Sequence, residues 1–566
     1  MNCSRRKCGH ATALAVLVVF TLALRISSPS DIFDNDQAGP ISHIADVAFN
    51  GHWLMQQAPT RKLATKPPMY PWMGALAVRA TGLTHEWTFK LPQILAFVMV
   101  TLVVFDWTRR VSNVPVATVA AAVWVANYHV FKLMYTARTD MLLAMWITLG
   151  VWSVQRQRDE WQVGPEGAKP ARAQPGLIFL FALAIAGGVL TKGPPGLIPV
   201  AWLIGVIGYD RAWRRCRPMG QLLGILLAVA LPLAWVLPTL QAYPEWARNI
   251  NVEVVERITG AGSGAHRRSS VFSIPGYFLA RFAPWSVLFA AAAARAWSER
   301  RESKSSVPSW PLWWVILILV IFMIPRGKRA DYILPAYPAA AILVATIVAI
   351  GQSRPGWHRS VVHLVLGGVA IAGIAAAVAC PWIPRPPQVP LQPGSPIAAA
   401  ITSPTVLMFG CGAAALVAAV FALCLVIREK YVPASMSCCF VLIAILGIYQ
   451  STLSRAAKTR RGDAIIALAE TAHTLSRREG MTVFCHHTGS SPIQALLGVH
   501  QLDEERMPEI APSGALLITD EQAWQGGADQ FPERASIIMQ TQSEDPSDKS
   551  LLLVRISPAH RVIGDQ

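Results

Sequence analysis

The sequence predicts a polytopic α-helical membrane protein with a small α/β domain at its carboxyl end. Three observations predict it. The chain of 566 residues is 53% hydrophobic and 15% charged, and its apolar residues fall in blocks long enough to cross a bilayer rather than in amphipathic stripes. Basic residues recur in alternate loops between those blocks. Beyond residue 452 the blocks stop, and one amphipathic stretch followed by short strand-like runs takes over.

About thirteen spans can be drawn, at roughly 11–26, 91–108, 114–133, 139–155, 176–191, 195–209, 219–240, 275–297, 308–325, 332–350, 361–380, 404–427 and 434–452. The first follows Arg5, Arg6 and Lys7 as a signal peptide would, but no small-x-small site follows and Arg25 closes the run, so it reads as a retained span. With the amino terminus inside, the inner loops carry Arg109 and Arg110; Arg156, Arg158, Lys169 and Arg172; Arg211, Arg214, Arg215 and Arg217; Arg300, Arg301 and Lys304; Arg354 and Arg359; Arg428 and Lys430. Topology thus accounts for a net charge of +17 better than nucleic acid does, since no single basic face or tail forms.

An odd number of spans puts the segment 27–90, the loops near 241–274 and 381–403, and everything after 452 on the outer side. The chain then divides into a membrane part, 1–452, and an outer α/β domain, 453–566. In the latter, a helix from Asp463 to Arg478 stopped by Gly480 precedes strands at 481–486, 515–520, 535–540 and 550–556. The nine cysteines contain no C-x-x-C pair, which argues against a zinc site or a disulfide framework. Cys485, His486 and His487 are neighbours on a strand and would point to opposite faces, which disfavours a metal site there.

Some cations fall on the wrong side of this topology. Lys66, Lys192, Arg326, Lys328 and Arg329 sit at outer ends of spans, where the charge rule does not put them. Cations at headgroup level suit a lipid phosphate, with Arg as a fork and Lys as a point charge. The run Gly176 to Leu190 covers only about 22 Å of a hydrocarbon core roughly 30 Å thick. Thr191-Lys192-Gly193-Pro194-Pro195-Gly196 then breaks the helix, and irregular backbone at that depth is tolerated only in protein or beside a water-filled cavity. Lys192 is expected to point into such a cavity; a snorkelling lysine is the alternative.

The first outer segment holds Asp31, Asp34, Asp36 and Asp46, then Lys66-Pro67-Pro68 and a run of aromatic residues that suits an interfacial helix. Asp140, in the short turn Ala137-Arg138-Thr139-Asp140-Met141, can cap the next helix, face a substrate, or do both, with Arg138 as its local counter-charge. Glu253 and Arg257 stand at i, i+4 spacing, by default a surface ion pair.

In order along the chain these pieces are Asp36 with Gly51-His52-Trp53; Lys66-Pro67-Pro68; Glu86-Trp87 with Lys90-Leu91-Pro92; Ala137-Arg138-Thr139-Asp140-Met141; Thr191-Lys192-Gly193-Pro194; Pro284-Trp285; and Tyr332-Ile333-Leu334-Pro335 with Pro338. Together they resemble the aminoarabinose transferase and protein O-mannosyltransferase superfamily of GT-C glycosyltransferases. The resemblance implies a GT-C fold and inverting transfer of a sugar from a polyprenyl-phosphate donor to a lipid, glycan or protein acceptor on the outer face of the cell membrane.

It also implies roles. Asp36 becomes the catalytic acid of the first outer loop and Asp140 the second acid. Lys66 engages the donor phosphate, and Lys192, Arg326 and Lys328 complete the cationic pocket, with Arg138, Glu253 and Arg257 in support. Because protein cations can stabilise the departing phosphate, catalysis is expected to need no metal or other cofactor, and the enzyme to act as a monomer. Where the family has Asp-Glu followed by Arg and Tyr, this chain has Asp36-Gln37-Ala38-Gly39-Pro40, so the resemblance does not fix which sugar the donor carries. A transporter or flippase is the alternative, since Gly/Pro-broken spans beside embedded charges also mark transporters, although no paired broken segments appear in two halves.

Overall fold

The structure, a computed structural model, describes residues 2–27, 30–32, 35–58, 62–162, 174–209, 219–250, 270–299, 307–383, 404–453, 457–486, 492–497, 514–527, 535–541 and 550–557. Most of the basic loop positions between 163 and 218 and between 300 and 306 lie outside these residues, as do Glu253, Arg257 and His487.

α1 (Asn2–Ile26) ends on Arg25 and packs against α5 (Val114–Val125) and the Tyr431–Leu453 helix. Between α1 and the next long helix, the chain forms α2 (Asn35–Ala45), a π-helical turn Asp46–Asn50 closed by Gly51, an irregular stretch, and α3 (Met69–Thr81). α3 starts right after Pro67 and Pro68, whose rings fix the entry of the chain, and Gly82 stops it at φ 65° with its N–H donated to the Val78 carbonyl. α4 (Glu86–Val111) leads to α5, and Asn127 caps the short α6 (Tyr128–Leu133) by accepting from the N–H groups of His129 and Val130. α7 (Asp140–Gln162) and α8 (Pro175–Lys192) pack closely together.

The break expected after Lys192 is present. Gly193 turns at φ 72°, a 3₁₀ turn Pro194–Leu197 follows, and α9 (Ile198–Tyr209) resumes. Gly196 lies so close to α8 that a Cβ on it would sit 2.2 Å from the Val189 nitrogen and 2.3 Å from the Gly188 carbonyl carbon, so only glycine allows this fold-back.

Eight helices among the described residues are long and apolar enough to cross a membrane, or nine if the bent pair Ser273–Arg281 and Ser286–Ser298 is one span. That is fewer than the thirteen expected. Several apolar runs form helices too short by themselves: α5 has 12 residues and Trp310–Met323 has 14, about 18–21 Å of rise against a core of roughly 30 Å. Multi-pass membrane character stands. The Ala330–Ser353 stretch is the axis of the bundle, 89% buried, because its residues are apolar on every side.

The carboxyl-terminal part is α/β. The Ala457–Glu479 helix stops at Gly480, φ 66°, and four strands follow: β1 Thr482–His486, β2 Ala515–Asp520, β3 Ala535–Gln540 and β4 Leu551–Ile556. Their order is β1-β2-β4-β3, with β1 parallel to β2 and the other pairs antiparallel. β2 and β4 are central and largely buried on both faces, in keeping with the apolar runs Ala515 to Ile518 and Leu551 to Val554.

This part rests on the segment between α1 and α4. Pro492–Leu497 packs on α2, the Phe49 and His473 rings lie 5.2 Å apart, His85 Nδ1 meets Glu470 Oε1 at 2.5 Å, and Arg477 donates to the Gly82 carbonyl at 2.8 Å.

Candidate functional site: a lysine-lined apolar cavity

α8 ends at the wall of a cavity of about 530 Å³. Lys192 from the end of α8 and Lys66 from the loop before α3 both line it, among apolar walls that include Trp235, Trp246, Phe322 and Tyr332. Two ammonium groups in an otherwise apolar chamber give it the character of a site for an anion carrying a hydrocarbon tail.

The loop bearing Lys66 is pinned from the opposite wall. The buried indoles of Trp235 and Trp246 donate to the carbonyls of Leu54 at 2.7 Å and Ala64 at 2.9 Å. Between those points residues 56–58 pair antiparallel with 62–64, with Ala58 N–H to Lys62 O and Ala64 N–H to Gln56 O, both 2.8 Å. Buried Asp46 organises the other side, accepting from Gln57 N–H at 2.8 Å and Asn50 Nδ2 at 2.8 Å, with His52 Nδ1 at 2.9 Å. Nearby, burial first and the Lys66 charge second push the His43 imidazole below its ordinary pKa, against the opposing pull of Asp46, which keeps it neutral at pH 7.

Asp140 opens α7, and its carboxylate pairs with Lys192 Nζ across the cavity rim, both side chains nearly buried at 10% and 13% exposure. Lys192 also sits 4.8 Å from the centre of the Tyr332 ring, a cation–π contact. Arg138, expected to be the counter-charge of Asp140, reaches Asp331 at 3.1 Å. The other oxygen of Asp331 meets His129 Nε2 at 3.0 Å, and the Tyr337 hydroxyl lies 3.3 Å from His129 Nδ1. The rim therefore carries two interlocked sets, Lys192 with Asp140 and Arg138 with Asp331 and His129.

The structure thus brings Lys66, Lys192 and, through Lys192, Asp140 and Tyr332 together. Arg138 joins from the same turn. Of the four expected cations, Lys66 and Lys192 line the cavity, while Arg326 is exposed and Lys328 donates to the Pro325 carbonyl at 2.8 Å. The chain bends at Ile324 and Pro325, both of which line the cavity. Asp36 lies in the first turn of α2, but its side chain is outside the described residues. Glu253 and Arg257 lie outside them entirely.

Sequence reading missed Asp331 and His129, which only the fold brings to the rim. It also missed the role of Asp31, which accepts from Lys90 Nζ at 2.6 Å and Arg25 Nη2 at 2.9 Å, while fully buried Lys90 pairs with Glu86 and lies 4.5 Å over the Tyr135 ring. Burial alone would raise the Asp31 carboxyl; the Lys90 charge, then that of Arg25, and hydrogen bonds from both hold it well below the usual carboxylate range. The available signal was Arg25 at the end of one apolar run and Lys90 at the start of another, two charges that need partners.

The family model for dolichyl-phosphate-mannose-protein mannosyltransferase matches residues 65–237, a stretch that holds Lys66, Asp140, Lys192 and Trp235. A curated relative, the undecaprenyl phosphate-alpha-4-amino-4-deoxy-L-arabinose arabinosyl transferase of Edwardsiella ictaluri, is 27% identical over 342 residues, 60% of this chain and 59% of the relative. The namesake from Pseudomonas aeruginosa is 26% identical over 336 residues, 58% of each. The crystal structure of ArnT from Cupriavidus metallidurans bound to undecaprenyl phosphate superposes with a TM-score of 0.67 over 98% of this chain and 99% of that one, at 17% identity. The chain is thus similar in sequence to arabinosyl transferases of the ArnT type and shares the fold of the solved ArnT structure. Its matches span about three fifths of the length of those curated relatives. The family-model match takes in the Lys66, Lys192 and Trp235 side of the cavity, whereas Phe322 and Tyr332 come from beyond it.

Proposed function

We propose that the chain is a membrane glycosyltransferase that moves a sugar from a polyprenyl-phosphate donor to an acceptor at the outer face of the cell's inner membrane, with inversion. The observation that carries this reading is the pairing of Lys66 and Lys192 on one apolar cavity, a chamber suited to a phosphate whose tail is hydrocarbon. The names of the curated relatives, and the undecaprenyl phosphate bound to the ArnT neighbour, support the donor class.

In this reading the acceptor oxygen attacks the anomeric carbon from the face opposite the phosphate. The carbon–oxygen bond to the phosphate breaks, its electron pair stays on the phosphate oxygen, and the acceptor's proton passes to a carboxylate. Lys66 and Lys192 stabilise the charge that gathers on the leaving phosphate. Asp36 and Asp140 are the acids assigned to the acceptor side. No metal is required in this scheme, so washed protein is expected to keep its activity in chelator; loss of activity that metal restores would refute that part. In this reading the acceptor is a lipid A-type glycolipid, a protein hydroxyl or a growing polysaccharide, and the chain acts as a monomer.

Lipid and glycan mass spectrometry of a deletion strain tests the reading. A polyprenyl-phosphate sugar is expected to accumulate while one acceptor loses a single sugar, and complementation with Lys66→Met is expected not to restore it. Unchanged lipid and glycan profiles would overturn the proposal.

A further inference from the structure

Two buried glutamines hold the turn that presents Asp140. Gln37, 3% exposed, accepts the Ala137 N–H on its Oε1 at 2.9 Å and donates its Nε2 to the Asp31 carbonyl at 2.8 Å. Gln93, fully buried on α4, accepts the Leu142 N–H on its Oε1 at 3.1 Å and donates its Nε2 to the Arg138 carbonyl. Three backbone groups of the segment 137–142 therefore end on two side-chain amides. Leu142 lies in the first turn of α7, where N–H groups have no partner within the helix, so Gln93 supplies from another helix what a local cap would supply.

The chemistry at position 37 is selective. Each amide donates from nitrogen and accepts on oxygen at once, which a carboxylate at neutral pH cannot do. A glutamate there could still receive the Ala137 N–H, but its second oxygen would face the Asp31 carbonyl, acceptor against acceptor. The glutamine that replaces the superfamily's usual acid thus has a physical reason in this chain. Gln37 is also the residue after Asp36 in α2, so one side chain links the helix of one candidate acid to the turn of the other.

We propose that Gln37, seconded by Gln93, is a positioning residue that sets the spacing between the Asp36 helix and the Asp140 turn. The inference rests on the reading of those two acids as the acceptor-side groups of a glycosyl transfer. Its consequence is a defect in turnover rather than in donor binding, because neither glutamine lines the cavity among the described residues.

The test uses full-length protein in nanodiscs with undecaprenyl phosphate as the binding probe, hydrogen exchange by mass spectrometry, and product formation in the complemented deletion strain. Gln37→Met, which removes both hydrogen bonds at near-constant volume, is expected to speed exchange at the Ala137 amide. It should lower product formation by about tenfold to a hundredfold, the scale of a misplaced reacting group, and leave undecaprenyl phosphate affinity within about twofold. Gln37→Glu keeps the acceptor for Ala137 and loses the donor to Asp31, so it should fall between the two, with Ala137 still protected; it carries the test if the methionine variant fails to insert. Wild-type product formation in Gln37→Met, or a loss of affinity equal to the loss of product, would overturn the proposal. Asp36→Asn separates the two levels: full product formation in that variant would remove the assigned chemistry, whereas the exchange behaviour at Ala137 reports on the clamp alone.

Discussion

Lys192 Nζ closes on the carboxylate of Asp140, a partner 52 residues earlier in the chain, while also forming part of the cavity wall. One ammonium group is therefore shared between an acid and the chamber assigned to a lipid phosphate. An anion entering the chamber competes with Asp140 for it.

From that sharing, Asp140→Asn is expected to bind undecaprenyl phosphate at least as tightly as the wild type, since Lys192 loses its competing carboxylate. Product formation should fall in the same variant. Equilibrium binding in nanodiscs checks the first part, and a weaker affinity in Asp140→Asn would refute it.

Lys192→Met leaves Asp140 nearly buried without that cation, and breaking a buried pair on one side costs about 3–5 kcal/mol. The double variant Lys192→Met with Asp140→Asn should recover a large part of this loss. Thermal unfolding in detergent gives the comparison; equal losses in the single and double variants would show that the pair contributes little.

The indole of Trp246 anchors the loop that leads to Lys66. Trp246→Phe removes the hydrogen bond to the Ala64 carbonyl and leaves that acceptor buried, a cost of about 1–3 kcal/mol. The same change is expected to weaken undecaprenyl phosphate binding by loosening Lys66, and Lys66→Met combined with it should add little further. Strict additivity of the two losses in a binding cycle would separate Trp246 from Lys66.

The pH dependence follows from the direction of two shifts. His43 has its folded pKa below the unfolded value near 6.5, so the unfolded chain takes up the proton first. Stability is fully present above about pH 6.5 and falls as pH drops toward the lowered folded value. Asp31, held down by Lys90 and Arg25, adds a term present above roughly pH 4 and lost only in stronger acid. Melting temperature measured from pH 8 to pH 5 should therefore decline on the acid side, and His43→Gln should flatten part of that decline. A residual slope is expected from His473, whose burial lowers it in the same direction.

Much of the fold was legible because it is written locally. Thr191 to Gly196 announces a helix break with two prolines and two glycines, and the break falls after Lys192 as expected. Gly480 ends a helix, and the apolar runs of β2 and β4 mark buried strands. Pairings were not legible, because sequence does not say which helices touch. Arg138 stands two residues from Asp140 yet reaches Asp331, 193 residues away, and His129 meets that same acid from 202 residues away. Thirteen spans are not confirmed among the described residues, where eight or nine helices are long and apolar enough to cross: an apolar run shows that a segment avoids water, not how long its helix is.

The stop at Lys192 has an electrical consequence. A helix that ends at the cavity directs its last carbonyls there, the negative pole of its dipole, equivalent to roughly half an elementary charge near the C-terminus. Without the lysine that end of α8 would repel a phosphate rather than ignore it. Lys192 therefore reverses the sign of the potential where the helix stops, and a neutral residue of the same size would leave Lys66 alone to offset that pole.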